Sequence, residues 1–597
     1  MYKSRVGLTI SLLSSSTLAT TRGLRPALFL DFLSGSLDSR VGFSRGTNAT
    51  MVDSTGRIVY APANMITNSV GPASSTGVTA STATGAAPDG TNAVRLTKTD
   101  ATSPRYAGWN APFTAQSNTR YVASAYFKYD GYDTTVSLEY NNVVHWGGTA
   151  WVAPFNVTAS GITTDVPANC TSGVQAIGNG WFRVWAAFTT GTVSSAVTSI
   201  LTRITGASGV TVLTAWGQLE PVTYQTAPGP YAATTASAYY GPRFDYNPFT
   251  LGALGLLIEE QRTNLLTYSE QFDNAAWIKD TATITPNTTV APDGTTTADT
   301  LTGVSGSFRA YQTATTVVST TYTMSVYVKQ GTSPTIGVDF INVAAGPVYT
   351  FATNTWSTVA GWTTTAQNAG NDWVRLTASI AATVTNAGPG WRVSGATTAF
   401  IWGAQLEAGA FATSYIPTVA SQVTRNADVA TMTGTNFSGW YNQTEGTFVA
   451  DFDTPQDAAK FVVSASDGTN NNRIQILPWS ARQGQIVTGG VDQALFDNGT
   501  ISLNTPTKIA LAYATNNAAL SLLGGSPATD ATVSLPTVDR LLFGNATSGT
   551  DQTGGHLRQL AYFNTRLPNA QLETLSSPSL VPTLALDFTA SSYASGY

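Results

Sequence analysis

The chain has little cysteine, histidine and charge for its length. Its 597 residues include one Cys (Cys170) and two His (His145 and His556), and 11% of the residues are charged, against about a quarter in an ordinary soluble domain. A single cysteine forms no intrachain disulfide, and three such residues cannot build a structural zinc site of the usual Cys and His kind. Stability must therefore come from large packed cores or from oligomerisation.

The shortage of charge also excludes classes of partner. The 29 Lys and Arg are spread along the sequence, whereas a nucleic-acid footprint needs them clustered, so we expect no nucleic-acid partner. No run approaches the roughly eighteen apolar residues of a membrane-spanning helix, so we expect no membrane insertion. A hydrophobic content of 42% and a net charge of -5 exclude disorder caused by excess charge.

One block of sequence occurs twice, at an offset of about 190 to 200 residues. The matching segments, in the same order in both copies, are 64–69 with 264–269, 87–91 with 291–295, 121–128 with 322–329, 178–184 with 370–376, and 215–220 with 401–407. So many landmarks in register predict two copies of one structural unit. We call residues 64–239 module 1 and residues 264–430 module 2.

Within each copy, apolar and polar residues alternate over short stretches. Tyr322, Met324, Val326 and Val328 show this period of two, which is typical of half-buried strands. Pro-Asp-Gly at 88–90 and 292–294 supplies turn chemistry between such stretches. The pattern predicts an all-β protein built from several antiparallel jelly-roll β-sandwiches in tandem.

The remaining sequence divides into four parts. Residues 1–25 are predicted to be an N-terminal attachment segment, and residues 26–63 and 240–263 a leader that module 1 splits in two. Residues 440–580 are predicted to form a different sandwich, ending in a strand at 555–563 and a short helix at 567–575 whose Leu572 and Leu575 pack back on the sheet. Residues 581–597 form a C-terminal tail.

Recognition of a sugar without catalysis needs an exposed aromatic side chain rimmed by polar groups, because a ring covers the apolar face of a pyranose while polar groups bind its hydroxyls. The repeated tryptophans Trp181, Trp216, Trp373 and Trp402 stand inside shared strand patterns, so we expect them in the cores. The carbohydrate-binding candidates lie outside the shared motifs; they are Trp109, His145, Trp146, Trp151, Trp277, Trp356, Trp362 and Trp391.

Polar and acidic motifs have two interpretations each. The loops 467–473 and 545–551 carry oxygen ligands for Ca²⁺, but ordinary solvated turns are favoured, and no other metal or cofactor is expected. The repeated Glu220 and Glu407 favour structural ion pairs with Arg183 and Arg375 over catalysis.

Enzymatic chemistry is not expected. No Asp/Glu pair stands in a recognisable acid/base context, although glycoside hydrolysis needs two facing carboxylates. No Gly-x-Ser-x-Gly elbow accompanies His145 or His556. In a β protein, the spacing of acids along the sequence does not determine which carboxylates face each other. A polysaccharide depolymerase therefore stays as a disfavoured alternative.

Several strings resemble a known class of proteins. Leu-Asp-x-Arg-Val-x-Phe-x-Arg near residue 37, Pro-Arg-Phe-Asp-Tyr-x-Pro near 242, Gly-Leu-Leu-Ile-Glu-Glu-x-Arg-Thr-Asn-Leu-Leu near 255 and Trp-Gly-x-Gln-Leu-Glu near 402 look like the modular virion proteins of tailed bacteriophages, of the tail-fibre or head- or tail-spike type with carbohydrate-binding-module-like jelly rolls. The resemblance covers residues 26–63 and 240–430 well and module 1 more loosely. Residues 444–577 are similar to laminin-G-like, concanavalin-A-like domains. One departure is that module 1 lies inside the leader, which leaves the packing around it open.

The resemblance implies a location on the virion surface, other virion proteins as partners, a homotrimer, and display of glycan-binding domains for attachment to host-surface polysaccharide. An alternative is a capsid or tail decoration protein with an architectural role. Because sandwich folds support many functions, the site itself must decide between these.

Overall fold

A computed structural model describes residues 24–75, 77–102, 105–113, 119–140, 151–191, 197–304, 309–545 and 552–578. These residues are almost entirely antiparallel strands, so the predicted all-β fold of tandem sandwiches is confirmed. They form two compact units: one comprises residues 42–430 with 33–37, and the other residues 431–578 with 24–32 and 38–41. The predicted tail and nearly all of the predicted attachment segment lie outside the described residues.

Short strands of the first leader half precede module 1. They are β1 (Leu28–Asp31), β2 (Gly42–Ser44), β3 (Thr50–Val52), β4 (Ile58–Tyr60) and β5 (Ala63–Asn64), with a 3₁₀ turn at Phe32–Ser34. The strands of module 1 are β6 (Val78–Ala83), β7 (Ala93–Lys98), β8 (Arg105–Phe113), β9 (Arg120–Tyr129), β10 (Thr134–Tyr140), β11 (Trp151–Thr158), β12 (Gly161–Thr164), β13 (Thr171–Gly178), β14 (Trp181–Thr189), β15 (Val197–Ile204) and β16 (Thr211–Val222).

Five short strands flank the sandwich strands of module 2. Before them lie β17 (Tyr239–Tyr240), β18 (Arg243–Tyr246), β19 (Ala253–Ile258) and β20 (Arg262–Asn264), and after them lies β34 (Val423–Arg425), which pairs with β20. Module 2 itself contains β21 (Ile278–Asp280), β22 (Ala282–Thr289), β23 (Ala298–Gly303), β24 (Arg309–Tyr311), β25 (Ala314–Thr315), β26 (Thr321–Gln330), β27 (Thr335–Ile341), β28 (Ala344–Thr350), β29 (Thr355–Trp356), β30 (Thr363–Asn368), β31 (Trp373–Ala381), β32 (Asn386–Val393) and β33 (Thr398–Ala408).

The two modules share one topology. In module 1, the sheet β12-β11-β10-β15-β8 faces the sheet β13-β14-β9-β16-β7-β6. In module 2, the order β29-β28-β27-β32-β24 faces β30-β31-β26-β33-β23-β22, with β21 and β25 added at the first sheet. Each strand of module 1 thus has a counterpart at the same position in module 2. We call the sheets that contain β10 and β27 the front sheets.

The C-terminal unit is a second kind of sandwich. Its strands are β35 (Val429–Thr433), β36 (Glu445–Phe452), β37 (Val463–Ser466), β38 (Arg473–Trp479), β39 (Arg482–Thr488), β40 (Val491–Phe496), β41 (Thr507–Ala514), β42 (Asn517–Leu522), β43 (Ala528–Asp530), β44 (Arg540–Phe543) and β45 (Gly555–Phe563), with helices α1 (Thr435–Ser438) and α2 (Asn569–Ser576). One sheet runs β1-β45-β36-β41-β42-β43 and the other β44-β37-β38-β39-β40. Leu572 of α2 is fully buried against Ala510, Ala512 and Ala519, with Leu575 beside it, so the predicted return of this helix onto the sheet is confirmed.

The two halves of the leader contact each other. Asp245 accepts a hydrogen bond from the amide of Val52 at 2.5 Å, and Arg45 donates to the carbonyl of Gly241 at 3.0 Å. Charged side chains of the leader and of module 2 form a fully buried cluster, whose members are Arg45, Arg243, Glu259, Arg425 and Asp428. Because an unpaired buried charge is costly, this cluster requires all of its members to be in place.

Among the helices of the described residues, none has the length and apolar content to cross a membrane.

Candidate functional site

The outer face of the front sheet of module 2 carries a charged group of three side chains. On β27, Asp339 alternates with the core residues Val338 and Phe340, and on β32, Arg392 alternates with the core residues Trp391 and Val393. Side chains alternate between the two faces of a strand, so Asp339 and Arg392 point away from the core. Arg309 on β24 pairs directly with Arg392.

Asp339 is the centre of this group. Its carboxylate accepts hydrogen bonds from Arg392 Nε at 3.0 Å, from Arg309 Nη1 at 3.4 Å and from the amide of Gly346 at 3.2 Å. Arg392 also donates to the carbonyl of Gly346 at 3.0 Å. The Asp339 side chain is 6% exposed, while both guanidinium groups are 30% exposed. A buried carboxylate therefore orients two arginine side chains that are each partly exposed to solvent.

Two glycines allow side chains to approach the backbone of this sheet closely. A Cβ added to Gly337 would lie 2.6 Å from Arg392 Cζ, and one added to Gly346 would lie 2.8 Å from the indole of Trp362. Tyr311 lies beside them, with Arg309 Cζ 5.6 Å from its ring centre. We call the surface formed by Arg309, Tyr311, Asp339, Trp362 and Arg392 the platform; Trp362 and Tyr311 are half-buried.

Module 1 holds a counterpart in the same register. Ser137 pairs with Arg203 as Gly337 pairs with Arg392, and Glu139 occupies the position of Asp339. Burial raises the pKa of Glu139, and this effect outweighs the charge of Arg203 and the hydrogen bond of Tyr106, which both lower that pKa. The contact is looser, with 3.5 Å between Arg203 Nη1 and Glu139 Oε2. Since Ser137 places a Cβ where Gly337 has none, Arg203 cannot lie as Arg392 does.

Four of the predicted carbohydrate-binding residues are core residues. Trp109 and Trp151 are 1% and 2% exposed, and Trp277 and Trp391 are 1% exposed. The expectation that they offer exposed rings is therefore wrong in this structure. The physical reason is strand parity for Trp391, which shares its face with the core residue Val393. For Trp109 the indole Nε1 also bonds the buried Thr202 at 2.9 Å.

The other four predicted residues have different positions. His145 and Trp146 lie outside the described residues. Trp356 and Trp362 are half-buried in module 2, but the indole of Trp356 donates to the carbonyl of Thr365 at 3.0 Å and closes the edge between the two sheets. Only Trp362 of these two belongs to the platform.

The repeated polar residues hold the return segment of each module. Arg183 donates to the carbonyl of Gly229 at 2.6 Å and Glu220 accepts from its amide at 2.8 Å; Arg375 and Glu407 hold Thr413 through the same two groups. Among the described residues the predicted ion pairs are therefore not direct: arginine and glutamate each bond the backbone of one residue of the return segment, Gly229 in module 1 and Thr413 in module 2.

Trp216 departs from the core position expected for the repeated tryptophans, whereas its counterpart Trp402 occupies that position. Trp402 is 1% exposed in a cluster that includes Ile58 of the leader. Trp216, its counterpart, is half-buried and stacks on Tyr231 at 5.2 Å. The described members of its cluster all come from module 1 itself, so no leader residue covers it there.

The loop at 467–473 satisfies its own carboxylate. Asp467 accepts from the amide and hydroxyl of Thr469 at 2.8 and 2.7 Å and from Asn472 at 2.8 Å. Within the described ranges, no group of three or more His, Cys, Asp and Glu is placed to hold a metal ion. Of the second loop proposed for Ca²⁺, residues 546–551 lie outside the described residues.

Sequence reasoning missed Arg309, Tyr311, Asp339 and Arg392. The available signal was parity: Gly337 and Asp339 alternate with the apolar Ile336, Val338 and Phe340, which marks an outward glycine and acid on one strand. The pairing that joins this strand to Arg392 was not available from the sequence.

No family model matches the sequence, and comparison with curated proteins finds no match. Among solved structures, the CBM40 of Ruminococcus gnavus IT-sialidase bound to alpha2,3 sialyllactose is 15% identical, with 24% of this chain and 88% of that chain covered and a TM-score of 0.21. The CBM22-1-CBM22-2 tandem domain of Paenibacillus barcinonensis Xyn10C is 11% identical over 62% and 100%, with a TM-score of 0.21. The LG1-3 region of the laminin alpha2 chain is 8% identical over 79% and 97%, with a TM-score of 0.15. Likenesses of this size carry no functional conclusion, so function has to be argued from the side chains.

Proposed function

We propose that the chain is a glycan-binding protein and that the platform of module 2 is its binding site. The observation that carries the proposal is the grouping of Tyr311 and two arginine side chains around the buried Asp339, with Trp362 close to Gly346 beside them. The rings offer apolar area to a pyranose face, and the guanidinium groups offer charge-assisted donors to its hydroxyls. An orientation fixed before binding lowers the entropic cost of association.

The proposed activity is binding without hydrolysis, because the carboxylates of the platform and its edge are engaged by arginine side chains. Asp339 is engaged by Arg392, Arg309 and the amide of Gly346, and Asp280 lies 3.2 Å from Arg309. Glycoside hydrolysis needs one carboxyl group that donates a proton and a second that acts as base or nucleophile. Because Asp339 and Asp280 already hold arginine side chains, the proposal assigns the platform no acid and base pair.

The biological setting in this proposal is a bacteriophage virion surface. It is supported by the leader strings that resemble virion proteins of tailed phages, and it makes host-surface polysaccharide the ligand, other virion proteins the assembly partners and a homotrimer the assembly. Several weak sites on one particle would then raise the effective affinity.

An architectural role is the second candidate. It is favoured by the burial of Trp109, Trp151, Trp277 and Trp391 and by the looser acid and arginine contact in module 1. Under that alternative the sandwiches pack against other virion proteins, and the platform binds no sugar.

The test is binding of the full chain to a panel of hexasaccharides, with neutral members (cello-, xylo-, manno- and chito-) and an acidic member (oligogalacturonate). We expect saturable binding of at least one member, weakened about tenfold by Trp362→Ala through loss of ring contact. Trp356→Ala is the matched control, since this second half-buried tryptophan of module 2 lies off the platform. Failure to bind any member, or equal effects of the two substitutions, would contradict the proposal.

A further inference from the structure

The strands that carry the platform continue into a pocket. On β32, Asn386 and Arg392 have the same parity and point to the same face, six residues apart, which corresponds to roughly 20 Å along a strand. On the neighbouring strands, Tyr311 pairs with Gly390 and Thr315 pairs with Asn386. One face therefore runs from the charged platform to the Asn386 end of the front sheet.

At that end lies a pocket of about 410 Å³. Its polar side chains are uncharged: Thr267, Gln312, Thr313, Thr315, Asn386 and Gln422. A lining without charge and without aromatic rings suits a neutral group that both donates and accepts hydrogen bonds, because hydroxyl and amide side chains do both.

The two glutamines build the wall of this pocket. Gln312 accepts from the amide of Thr267 at 2.7 Å and donates to its carbonyl at 3.0 Å. Gln422 donates to the carbonyl of Leu265 at 3.0 Å. Both amides are thus used to fix the segment that begins at Leu265.

The remaining polar groups are available to a ligand. In the described part of the chain, the side chains of Thr313, Thr315 and Asn386 make no hydrogen bond, and those of Thr315 and Asn386 are exposed. Thr315 pairs with Asn386 across two neighbouring strands and Thr313 lies two residues before Thr315, so the three residues line the pocket together.

We infer that this pocket is a second subsite that takes a neutral, hydroxyl-rich sugar residue of the same glycan that lies on the platform. The inference rests on the proposed function. It makes the ligand a chain of several sugars, because a single pyranose cannot reach across roughly 20 Å of sheet. The two subsites differ in chemistry: aromatic and charged at one end, neutral and polar at the other.

The test uses the full chain and a series of neutral oligosaccharides (cello-, xylo-, manno- and chito-) from disaccharide to hexasaccharide. We expect the hexasaccharide of the bound type to bind about tenfold more tightly than its disaccharide. The double substitution Thr315→Val with Asn386→Ala should remove this gain and leave disaccharide affinity unchanged. Thr363→Val, which alters an exposed threonine on the opposite sheet, is the matched control.

The possible failures are distinguishable. A hexasaccharide gain that survives in the double variant, or an equal loss for both lengths, would overturn the second subsite and leave the platform in place. If the unaltered chain binds no member of the series and no oligogalacturonate, the proposed function fails and the second subsite fails with it.

Discussion

Gly337→Ala is a focused perturbation of the platform. The added Cβ would lie 2.6 Å from Arg392 Cζ and 2.8 Å from its Nε, so the guanidinium group must move. Its bonds to Asp339 and to the carbonyl of Gly346, both 3.0 Å long, would be lost. No backbone atom stands among the three nearest neighbours of the added Cβ, so the strand itself need not shift.

The expected cost in stability is small. Each lost hydrogen bond contributes on the order of 1 kcal/mol, and this is discounted because Arg392 is 30% exposed and water can replace its partners. Replacing Gly by Ala returns about 0.5 to 1 kcal/mol through the unfolded chain. The free energy of unfolding should therefore change by about 1 kcal/mol or less, whereas glycan affinity should fall about tenfold as an oriented charged donor is lost.

The assay is calorimetric titration of the full chain with its best ligand from the panel, with thermal unfolding measured in parallel. Ser137→Ala is the control, because this counterpart in module 1 already has a Cβ beneath Arg203 and its hydroxyl bonds no group of the described residues. Unchanged affinity in Gly337→Ala would refute the role assigned to the orientation of Arg392. A large loss of stability would show that the added Cβ displaces more than the Arg392 side chain.

Three further substitutions test the packing. Burial raises the pKa of Glu220 to about 7 from an ordinary 4.5. The folded chain therefore binds the proton of Glu220 more tightly than the unfolded chain does. The contribution of Glu220 to the free energy of unfolding is thus lost as the pH rises from about 4.5 to 7, by at most about 3 kcal/mol. Glu220→Gln should flatten this part of a pH series of urea unfolding, and an unchanged slope would count against it. Asn264 bonds four backbone groups, so Asn264→Ala should cost about 2 to 4 kcal/mol in the same assay, while a loss within experimental error would show that the groups find other partners. Asp428→Asn should cost about 3 to 5 kcal/mol because Arg45 and Arg243 lose their buried partner; a neutral result by thermal unfolding would mean that the cluster tolerates an unpaired charge.

The fold was largely predictable from the sequence. Period-two alternation in segments such as 322–328 reports which residues face a core, and the repeated landmarks report that one arrangement occurs twice. The repeat of asparagine at positions 64 and 264 has a physical reason. Each of these side chains bonds two backbone carbonyls and two backbone amides at equivalent positions of its module.

The site was much less predictable. Asp339 and Arg392 are brought together by strand pairing across a separation of 53 residues. The register of that pairing cannot be deduced from the composition of either strand. Trp391 was misjudged because its residue type was given more weight than its parity, although its neighbours Arg392 and Val393 already indicate which face is outward. Trp362 was chosen because it stands outside the shared motifs, and it stays a predicted binding residue that is half-buried against the core of module 2.

The most direct test of the glycan-binding claim is a crystal structure of the full chain with its best hexasaccharide bound. We expect electron density for sugar rings on Trp362 and Tyr311, with ring hydroxyls within hydrogen-bond distance of Arg309 and Arg392. Density at another surface, with the platform empty, would contradict it.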